Sequence, residues 1–214
     1  TITLDAQFRM HPLLGDFVSK QFYPPKEQFS SPLKENHFKC NLPIVDNKCA
    51  IWVNIPSEKG IEKRSKTMSL NRKAEAVKIA ELLNNWINSE NSKNLSFGII
   101  SFYKSQIHMI KSELSNYGIT EKDDNGNYSI AGEYKKSITS NGDEEKLRIN
   151  TVDSFQGMEF DIVILSAVRS SFMDKVDDKL KKSNNIDLTS RSIYGHLMST
   201  NRLCVSMSRQ IKKL

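Results

Sequence analysis

The sequence contains no apolar run that approaches the roughly 20 residues needed to cross a bilayer. Hydrophobic residues make up 38% of the 214 residues and charged residues 26%, which are the proportions of a soluble globular protein. Residues 1–5 lack the basic and apolar regions of a secretory signal. We therefore expect a cytoplasmic protein with no membrane partner.

Cysteine is scarce, and its spacing excludes two common structural devices. The three cysteines, Cys40, Cys49 and Cys204, show neither the CxxC spacing of a zinc site nor the even count of a disulfide framework. Reduced thiols are therefore expected, and no metal site is predicted. His11 has no second ligand at metal spacing, so it is interpreted as a structural hydrogen-bonding residue.

A strong excess of one charge is also missing. Lysine and arginine number 31 and aspartate and glutamate 25, which gives a formal net charge of +6. This charge suits a polyanionic partner, but many basic proteins bind none, so charge alone does not decide the partner. Because the excess lysines are spread diffusely along the chain, no basic stripe is predicted.

Short runs of apolar and β-branched residues alternate with stretches of helical periodicity. The runs at 50–55, 97–101, 147–152 and 161–166 predict four strands. Helices are predicted at 13–23, at 71–86, around 107–114 and finally at about 196–212. Since strands alternating with helices favour right-handed crossovers, we expect an α/β fold with a mainly parallel sheet flanked by helices.

Two polar stretches, at about 121–146 and 171–193, interrupt this alternation. Their glycines, amides and charged residues predict surface excursions from one domain that spans residues 1–214. The first residue is not Met and no helix stop follows the last predicted helix, so we interpret the chain as a fragment of a longer one. A further strand of the sheet is expected after Leu214.

The most informative segment lies between two predicted strands, at 150–161. Thr151, Ser154, Gln156 and Gly157 stand within seven residues, and strand ends are where α/β sheets place ligands. Hydroxyls and backbone N–H groups commonly bind phosphate, and glycine permits a close backbone approach. Alone, this segment would be interpreted as an ordinary polar turn.

Two other segments change that interpretation. Residues 7–12 read Gln-Phe-Arg-Met-His-Pro, and residues 201–209 read Asn-Arg-Leu-Cys-Val-Ser-Met-Ser-Arg. In this order, the three segments resemble motifs IV, V and VI of superfamily 1 helicases. The resemblance is to the branch that includes the RNA helicases of nonsense-mediated decay and related DNA helicases.

The resemblance extends to residues 98–106, which look like a further motif of this family, usually written with Thr-Pro-Tyr before Lys and Gln. Here Ser101 and Phe102 replace Thr-Pro, which weakens the transfer of a backbone contact at this turn. The resemblance spans nearly the whole chain apart from the two polar excursions. It implies a RecA-like domain of the P-loop NTPase type, the second motor domain of an AAA-type ATPase.

By resemblance, Arg9 and Arg209 reach the γ-phosphate of an ATP molecule held on a first motor domain. Arginine suits this role because its planar fork stays charged and binds phosphate oxygens in pairs. The resemblance also implies nucleotide-binding roles, namely for Gln7, Phe8 (stacking on adenine), Gly157, Glu159 (accepting from the ribose hydroxyls) and Arg202.

Each assignment has an alternative. Arg9 could form a surface salt bridge, Arg209 could lie on a solvated face, and Phe8 could be a core residue. In a single final helix, the spacing of seven residues would place Arg202 and Arg209 on nearly the same face, where Arg202 would support the site.

A second set of residues resembles the contacts that the family makes to single-stranded nucleic acid. It consists of Ser101, Tyr103, Gln106, Thr151 and Ser154. Hydroxyls can bind phosphates, and an aromatic ring can pack on a base or sugar. We favour DNA over RNA because no specific RNA-binding module is visible.

The sequence has no phosphate-binding loop of the form GxxxxGK[ST] and no acidic pair typical of a Mg²⁺ site. ATP and Mg²⁺ are therefore expected to be held mainly by an upstream RecA-like domain, and this chain alone should not hydrolyse ATP. The resemblance implies an ATP-dependent helicase or translocase. One alternative is a catalytically inactive RecA-like module that binds nucleic acid or protein. Another is an unrelated α/β enzyme with a phosphorylated substrate, which would need its own base and phosphate loop.

Overall fold

The computed structural model describes residues 5–45, 48–139, 142–170, 182 and 186–214, and at 137–139, 142–143, 186–188 and 192 it describes the backbone alone. Most of the predicted second excursion, 171–193, lies outside these residues. Within the described part of the chain, no helix is long and apolar enough to cross a membrane.

Ten strands and six α-helices make up the described part of the chain. The strands are β1 (Lys63–Arg64), β2 (Leu70–Asn71), β3 (Phe97–Ser101), β4 (Thr120–Lys122), β5 (Tyr128–Ile130), β6 (Lys136–Thr139), β7 (Gly142–Glu145), β8 (Leu147–Thr151), β9 (Phe160–Ser166) and β10 (Gln210–Lys213). The helices are α1 (Pro12–Phe22), α2 (Lys73–Ile87), α3 (Lys104–Ser115), α4 (Gly132–Lys135), α5 (Ile186–Tyr194) and α6 (Thr200–Ser206). Short 3₁₀ turns lie at Glu35–Phe38, Ser57–Lys59, Glu90–Ser92, Val152–Phe155 and Gly195–Met198.

The central sheet is parallel throughout, with the strand order β10-β9-β3-β8. All five residues of β3 are buried, because β3 has a strand on each side and packing on both faces. Ile99 packs with α2 and α3 in one core cluster, whereas its neighbour Ile100 packs on the other side of the strand with Phe155 and Val163. Because side chains alternate between the two faces of a strand, the sheet has a hydrophobic core on each face. The predicted α/β class with a mainly parallel sheet is confirmed.

A chain segment at 152–159 crosses the central strand β3 and packs closely on it where Gly98 has no side chain. Strands β8 and β9 lie on opposite sides of β3, so the chain must pass from the carboxyl end of β8 to the amino end of β9. The rings of Phe155 and Phe160 pack together where it crosses, with their centroids 5.4 Å apart and their planes tilted by 59°. A Cβ atom on Gly98 would lie 2.9 Å from Phe155 and 3.1 Å from Phe160.

The predicted strand at 50–55 is wrong. This segment is irregular and only its start reaches the sheet: Ile51 N–H donates to the carbonyl of Leu214 (3.0 Å), and Leu214 N–H donates to the carbonyl of Cys49 (3.0 Å). The apolar, β-branched composition suggested a buried strand, but Trp52 is 84% exposed.

The predicted final helix at 196–212 is also wrong in extent. It is divided into a 3₁₀ turn, the short helix α6, which ends at Ser206, and the strand β10. Residues 210–213 form a strand although the helical pattern of the sequence continues, because parallel pairing with Phe160 and Ile162 of β9 holds Gln210 and Lys213 in the sheet. The first excursion, by contrast, consists of two antiparallel hairpins, β4–β5 and β6–β7, joined by α4.

Substitution of Gly98 by Ala should destabilise the fold by about 1–3 kcal/mol, because the new methyl group overpacks against two buried aromatic rings. The measurement is urea unfolding of the chain. Gly132→Ala is the matched control, since no atom lies within 4 Å of the place that its new methyl group would take and its φ is not positive. Equal unfolding midpoints for the two variants would contradict the proposed crossing geometry.

Candidate functional site

Three charged residues from distant parts of the sequence meet at the amino edge of the sheet. Glu159 directly precedes β9 and Arg209 directly precedes β10, and the N–H of Phe160 donates to the carbonyl of Arg209 at 3.0 Å. Arg9 reaches the same place from the start of the chain and forms an ion pair with Glu159. The structure thus brings together the two arginines that the sequence placed 200 residues apart.

The side chain of Gln7 fixes the backbone that carries Arg9. Its Oε1 accepts from the N–H groups of Arg9 (2.9 Å) and Met10 (2.7 Å). Its Nε2 donates to the carbonyl of Met10 (3.1 Å) and to Ser31 Oγ (2.8 Å). Since an amide offers two donors and two acceptor positions, these contacts use its full capacity.

The hydrogen bonds of the Gln7 side chain depend on a glycine inside α1, Gly15. A Cβ atom on Gly15 would approach Gln7 Nε2 to 2.5 Å and would come still closer to Ser31 Oγ. Helix α1 itself begins with Pro12, and His11 Nδ1 accepts from the N–H of Leu13 at 3.3 Å. His11 is therefore a helix cap, in agreement with its structural interpretation. Sequence reasoning missed Gly15 and Ser31, although a glycine in the middle of a helix is a signal of close packing.

The amino-edge cluster carries more positive than negative charge. Glu159 forms an ion pair with Arg9, and its negative charge also acts on the nearby Arg209. Burial lowers the pKa of Arg209, and the neighbouring charge of Arg9 lowers it further, whereas Glu159 opposes the shift. The Nε atoms of Arg9 and Arg209 are buried, and neither has a hydrogen-bond partner among the described residues. Such a concentration of positive charge favours a bound anion, which would relieve the repulsion.

This cluster also remains accessible. The side chains of Arg9 and Glu159 are 36% and 41% exposed, so their ion pair lies at the surface and contributes at most about 1 kcal/mol to stability. A weak, solvent-exposed pair can exchange partners readily. Either group can therefore turn to a ligand at little cost.

At the opposite, carboxyl edge, three of the five residues predicted to contact nucleic acid are buried in this conformation. Ser101 and Gln106 have no exposed surface and Tyr103 is only 7% exposed. Ser101 Oγ donates to the carbonyl of Ser166 (3.2 Å), and the ring of Tyr103 packs against His196. In this conformation these three side chains cannot lie against a strand, because they are packed inside the protein.

Gln106 instead joins a buried polar network that holds the carboxyl edge together. Its Oε1 accepts from the N–H of Arg72 (2.8 Å), and its Nε2 donates to Ser166 Oγ (3.1 Å). Ser166 Oγ donates in turn to Glu75 (2.8 Å), which also accepts from the N–H of Val168. Burial raises the pKa of Glu75, and the hydrogen bond from Ser166 opposes that shift. Sequence reasoning missed Arg72 and Glu75, which look like ordinary charges at the start of a helix.

Two residues of the predicted nucleic-acid set remain accessible at this edge. Thr151 is half-buried at the end of β8, and Ser154 is exposed in the 3₁₀ turn that follows. The backbone carbonyl of Ser154 accepts from Arg148 at 3.2 Å, so the turn is fixed while the hydroxyl faces outward.

A comparison with known protein families gives a match along the full length. A family model described as an AAA domain matches residues 1–214. The chain belongs to this AAA domain family.

Curated relatives of this AAA domain are superfamily 1 helicases, which confirms the resemblance drawn from the motifs. The chain is 30% identical over 171 residues to the ATP-dependent helicase upf1 of Schizosaccharomyces pombe, covering 78% of the chain and 16% of that protein. It is 28% identical over 173 residues to the Regulator of nonsense transcripts 1 homolog of Neurospora crassa, covering 79% and 14%. It is also 28% identical over 169 residues to Helicase sen1 of S. pombe, covering 78% and 9%. The chain thus spans less than a fifth of the length of each of these relatives.

In this AAA domain, Arg202 does not share a helical face with Arg209, because α6 ends before Arg209. The guanidinium of Arg202 contacts Asp153 (3.2 Å) and His196 (3.0 Å). Asp153 belongs to the crossing segment, so Arg202 braces that segment. The expected shared helical face is therefore wrong, and a role for Arg202 at the nucleotide stays a prediction.

The remaining nucleotide-side predictions fall on exposed positions. Phe8 is 65% exposed, which excludes the alternative of a core residue. Gly157 has a φ of 81°, a conformation that favours glycine, and a Cβ atom added there would meet nothing within 4 Å. Both positions are open to a ligand, and their nucleotide-binding roles stay predictions.

Substitution of Gln7 by Ala should lower the free energy of unfolding by about 1–3 kcal/mol, because the N–H groups of Arg9 and Met10 lose their acceptor. Urea unfolding of the nucleotide-free chain measures this effect. Gln21→Ala, at an exposed position of α1, is the matched control and should have little effect. If Gln7→Ala were as stable as the control, Gln7 would not have the structural role described above.

Proposed function

We propose that this AAA domain is the second motor domain of an ATP-dependent superfamily 1 helicase or translocase. In this proposal it supplies Arg9 and Arg209 to an ATP site shared with a first motor domain. The observation that carries the proposal is the convergence of both arginines, with one carboxylate, at the amino edge of the sheet. The helicase names of the relatives support the same function.

The charge of this cluster fits the needs of phosphoryl transfer. The reaction leaves little covalent work to the protein and requires positive charge where negative charge spreads over the γ-phosphate. Two arginines held close together, despite their repulsion, provide that charge before the nucleotide arrives. Binding of ATP would replace the repulsion between Arg9 and Arg209 by attraction to phosphate.

Glu159 has two tasks in this proposal. Without nucleotide it neutralises Arg9 through the surface ion pair. With nucleotide, its carboxylate accepts hydrogen bonds from the ribose hydroxyls, and Arg9 is released toward the phosphate. The exposed Phe8 would stack on adenine, Gly157 would let the backbone approach the nucleotide, and Gln7 would keep the Arg9 backbone in place.

The phosphate loop and the Mg²⁺ ligands would come from the first motor domain, since the sequence of this chain contains no GxxxxGK[ST] loop. This chain alone would then not hydrolyse ATP. A module that only binds nucleic acid would have no need for two arginines held together against their repulsion.

The second part of the proposal is a grip on single-stranded nucleic acid at the carboxyl edge, through Thr151 and Ser154. We favour DNA as the strand and the cytoplasm as the compartment. The crossing segment at 152–159 joins Ser154 at this end to Glu159 at the other, over the central strand. Closure of the ATP cleft would therefore act on the strand-binding turn through a short, packed segment, which is a route for coupled translocation.

Substitution of Arg209 by Ala, in the protein that carries both motor domains, should lower nucleic-acid-stimulated ATP turnover by about 10³-fold or more. Nucleotide binding should be largely retained, because Arg209 acts mainly on charge that develops during the reaction. Steady-state ATPase assays and a fluorescent-nucleotide titration measure the two effects. Arg191→Ala, at an exposed position of α5, is the control for loss of one arginine and should turn over ATP normally. Normal turnover by Arg209→Ala would exclude the arginine assignment.

Substitution of Ser154 by Ala should weaken single-strand affinity several-fold with little change in ATP turnover measured without nucleic acid, because one hydroxyl contact to phosphate is lost. Fluorescence anisotropy with labelled DNA and RNA strands, side by side, measures affinity and preference together. Ser129→Ala, at an exposed position of β5, is the matched control. Unchanged affinity in the Ser154 variant would remove this turn from the nucleic-acid face.

A further inference from the structure

The β1–β2 hairpin and the loop before it form a concentrated basic surface that the motifs do not include. Lys59, Lys63, Arg64 and Lys66 are all exposed. Within the described part of the chain, none of these four side chains has an ion pair. We call these four residues the basic hairpin.

The acidic residues of the same segment do not cancel this charge fully. Glu62 is turned to the protein, where its carboxylate accepts from the N–H (2.9 Å) and Oγ (2.7 Å) of Ser170 and lies 3.8 Å from Arg169. These hydrogen bonds lower the pKa of Glu62 despite its burial, so it stays ionised but is already paired. Glu58 is the one exposed acid between residues 57 and 66. The outer surface of the hairpin therefore carries a net positive charge.

The basic hairpin is attached to the amino end of α3. The N–H of Ser105 donates to Ser69 Oγ at 3.1 Å, and Asn71 Nδ2 donates to Ser105 Oγ at 2.8 Å. Lys104, the first residue of α3, is exposed beside this junction. The hairpin thus continues the surface on which α3 begins.

A buried arginine holds the base of the hairpin in place. Arg72 is 6% exposed, and its guanidinium donates to the carbonyls of Ile55 (2.7 Å), Pro56 (3.0 Å) and Gly60 (2.8 Å). Its own N–H is bound by Gln106. The positions of the basic side chains are therefore anchored to the sheet through Gln106, the residue that the motif predicted as a direct contact.

This anchoring places the hairpin at the same edge of the sheet as the accessible strand-binding candidates. Helix α3 starts three residues after Ser101, and Ser101 pairs in register with Thr151 at the carboxyl ends of β3 and β8. Since the ends of neighbouring parallel strands share one edge, the hairpin, Lys104 and Thr151 all lie at the carboxyl edge.

We propose that the basic hairpin is a further nucleic-acid-binding element, which binds backbone phosphates of the single strand gripped at Thr151 and Ser154. This inference rests on the nucleic-acid part of the proposed function. Exposed lysines and an arginine without acidic partners suit phosphates, which are recognised by charge without reading the bases. The hairpin should therefore increase the number of nucleotides that the protein binds without adding sequence specificity. It should contribute equally to the binding of DNA and RNA.

The test is the triple variant Lys63→Gln, Arg64→Gln and Lys66→Gln in the full-length protein. Its matched control is Lys93→Gln, Lys122→Gln and Lys135→Gln, which removes the same charge from exposed positions outside the hairpin. Fluorescence anisotropy with oligothymidylate and oligouridylate, across a range of salt concentrations, gives the affinity and its salt dependence. Thermal unfolding verifies that both variants fold.

The hairpin variant should bind both strands at least about 10-fold more weakly at low salt. The slope of log affinity against log salt is negative, and its magnitude should decrease by about 2, since each of the three lost phosphate contacts contributes about 0.7 on single strands. The control should match the wild type in both. Wild-type affinity and slope in the hairpin variant would overturn this inference while leaving the proposed function intact. If the wild-type protein itself failed to bind either strand, the nucleic-acid part of the proposed function would fall, and this inference with it.

Discussion

Parallel pairing between β9 and β10 is the interaction on which the arrangement of charges depends. It aligns Glu159 and Arg209 at the starts of adjacent strands, where the N–H of Phe160 binds the carbonyl of Arg209. The same short strand receives the beginning of the chain, because the N–H of His11 donates to the carbonyl of Ile211 at 3.1 Å. Arg9 is thereby brought to the same edge, and three distant segments form one surface.

The crossing segment gives the domain two ends that are joined by a packed connection. Phe155 and Phe160 fill the space over Gly98, so a displacement at one edge of the sheet must be accommodated within a close-packed core. Arg202 braces the same segment through Asp153. The proposed function needs such a connection, since closure of the cleft around ATP would have to alter the hold on a strand elsewhere.

The parallel sheet could be predicted from sequence because β3, β8 and β9 are dense in apolar and β-branched residues, whereas β10, with lysines at two of its four positions, could not. Recognition of the motifs singled out Arg9 and Arg209, but it did not predict which side chains of the motifs are buried. Gln106 keeps the position of a contact residue while its amide is used inside the protein. The basic hairpin escaped prediction because its charges look diffuse along the chain, and only the anchoring by Arg72 shows where they lie.

The central claim is that Arg9 and Arg209 together bind the charge of the transferring phosphoryl group. The most direct measurement compares the affinity of ADP alone with that of ADP plus aluminium fluoride, which mimics this group, in the two-domain protein and in its Arg9→Ala, Arg209→Ala double variant. The account predicts that the mimic loses about 10²–10³-fold in affinity while ADP loses little. Equal losses for both ligands, or none for either, would contradict it.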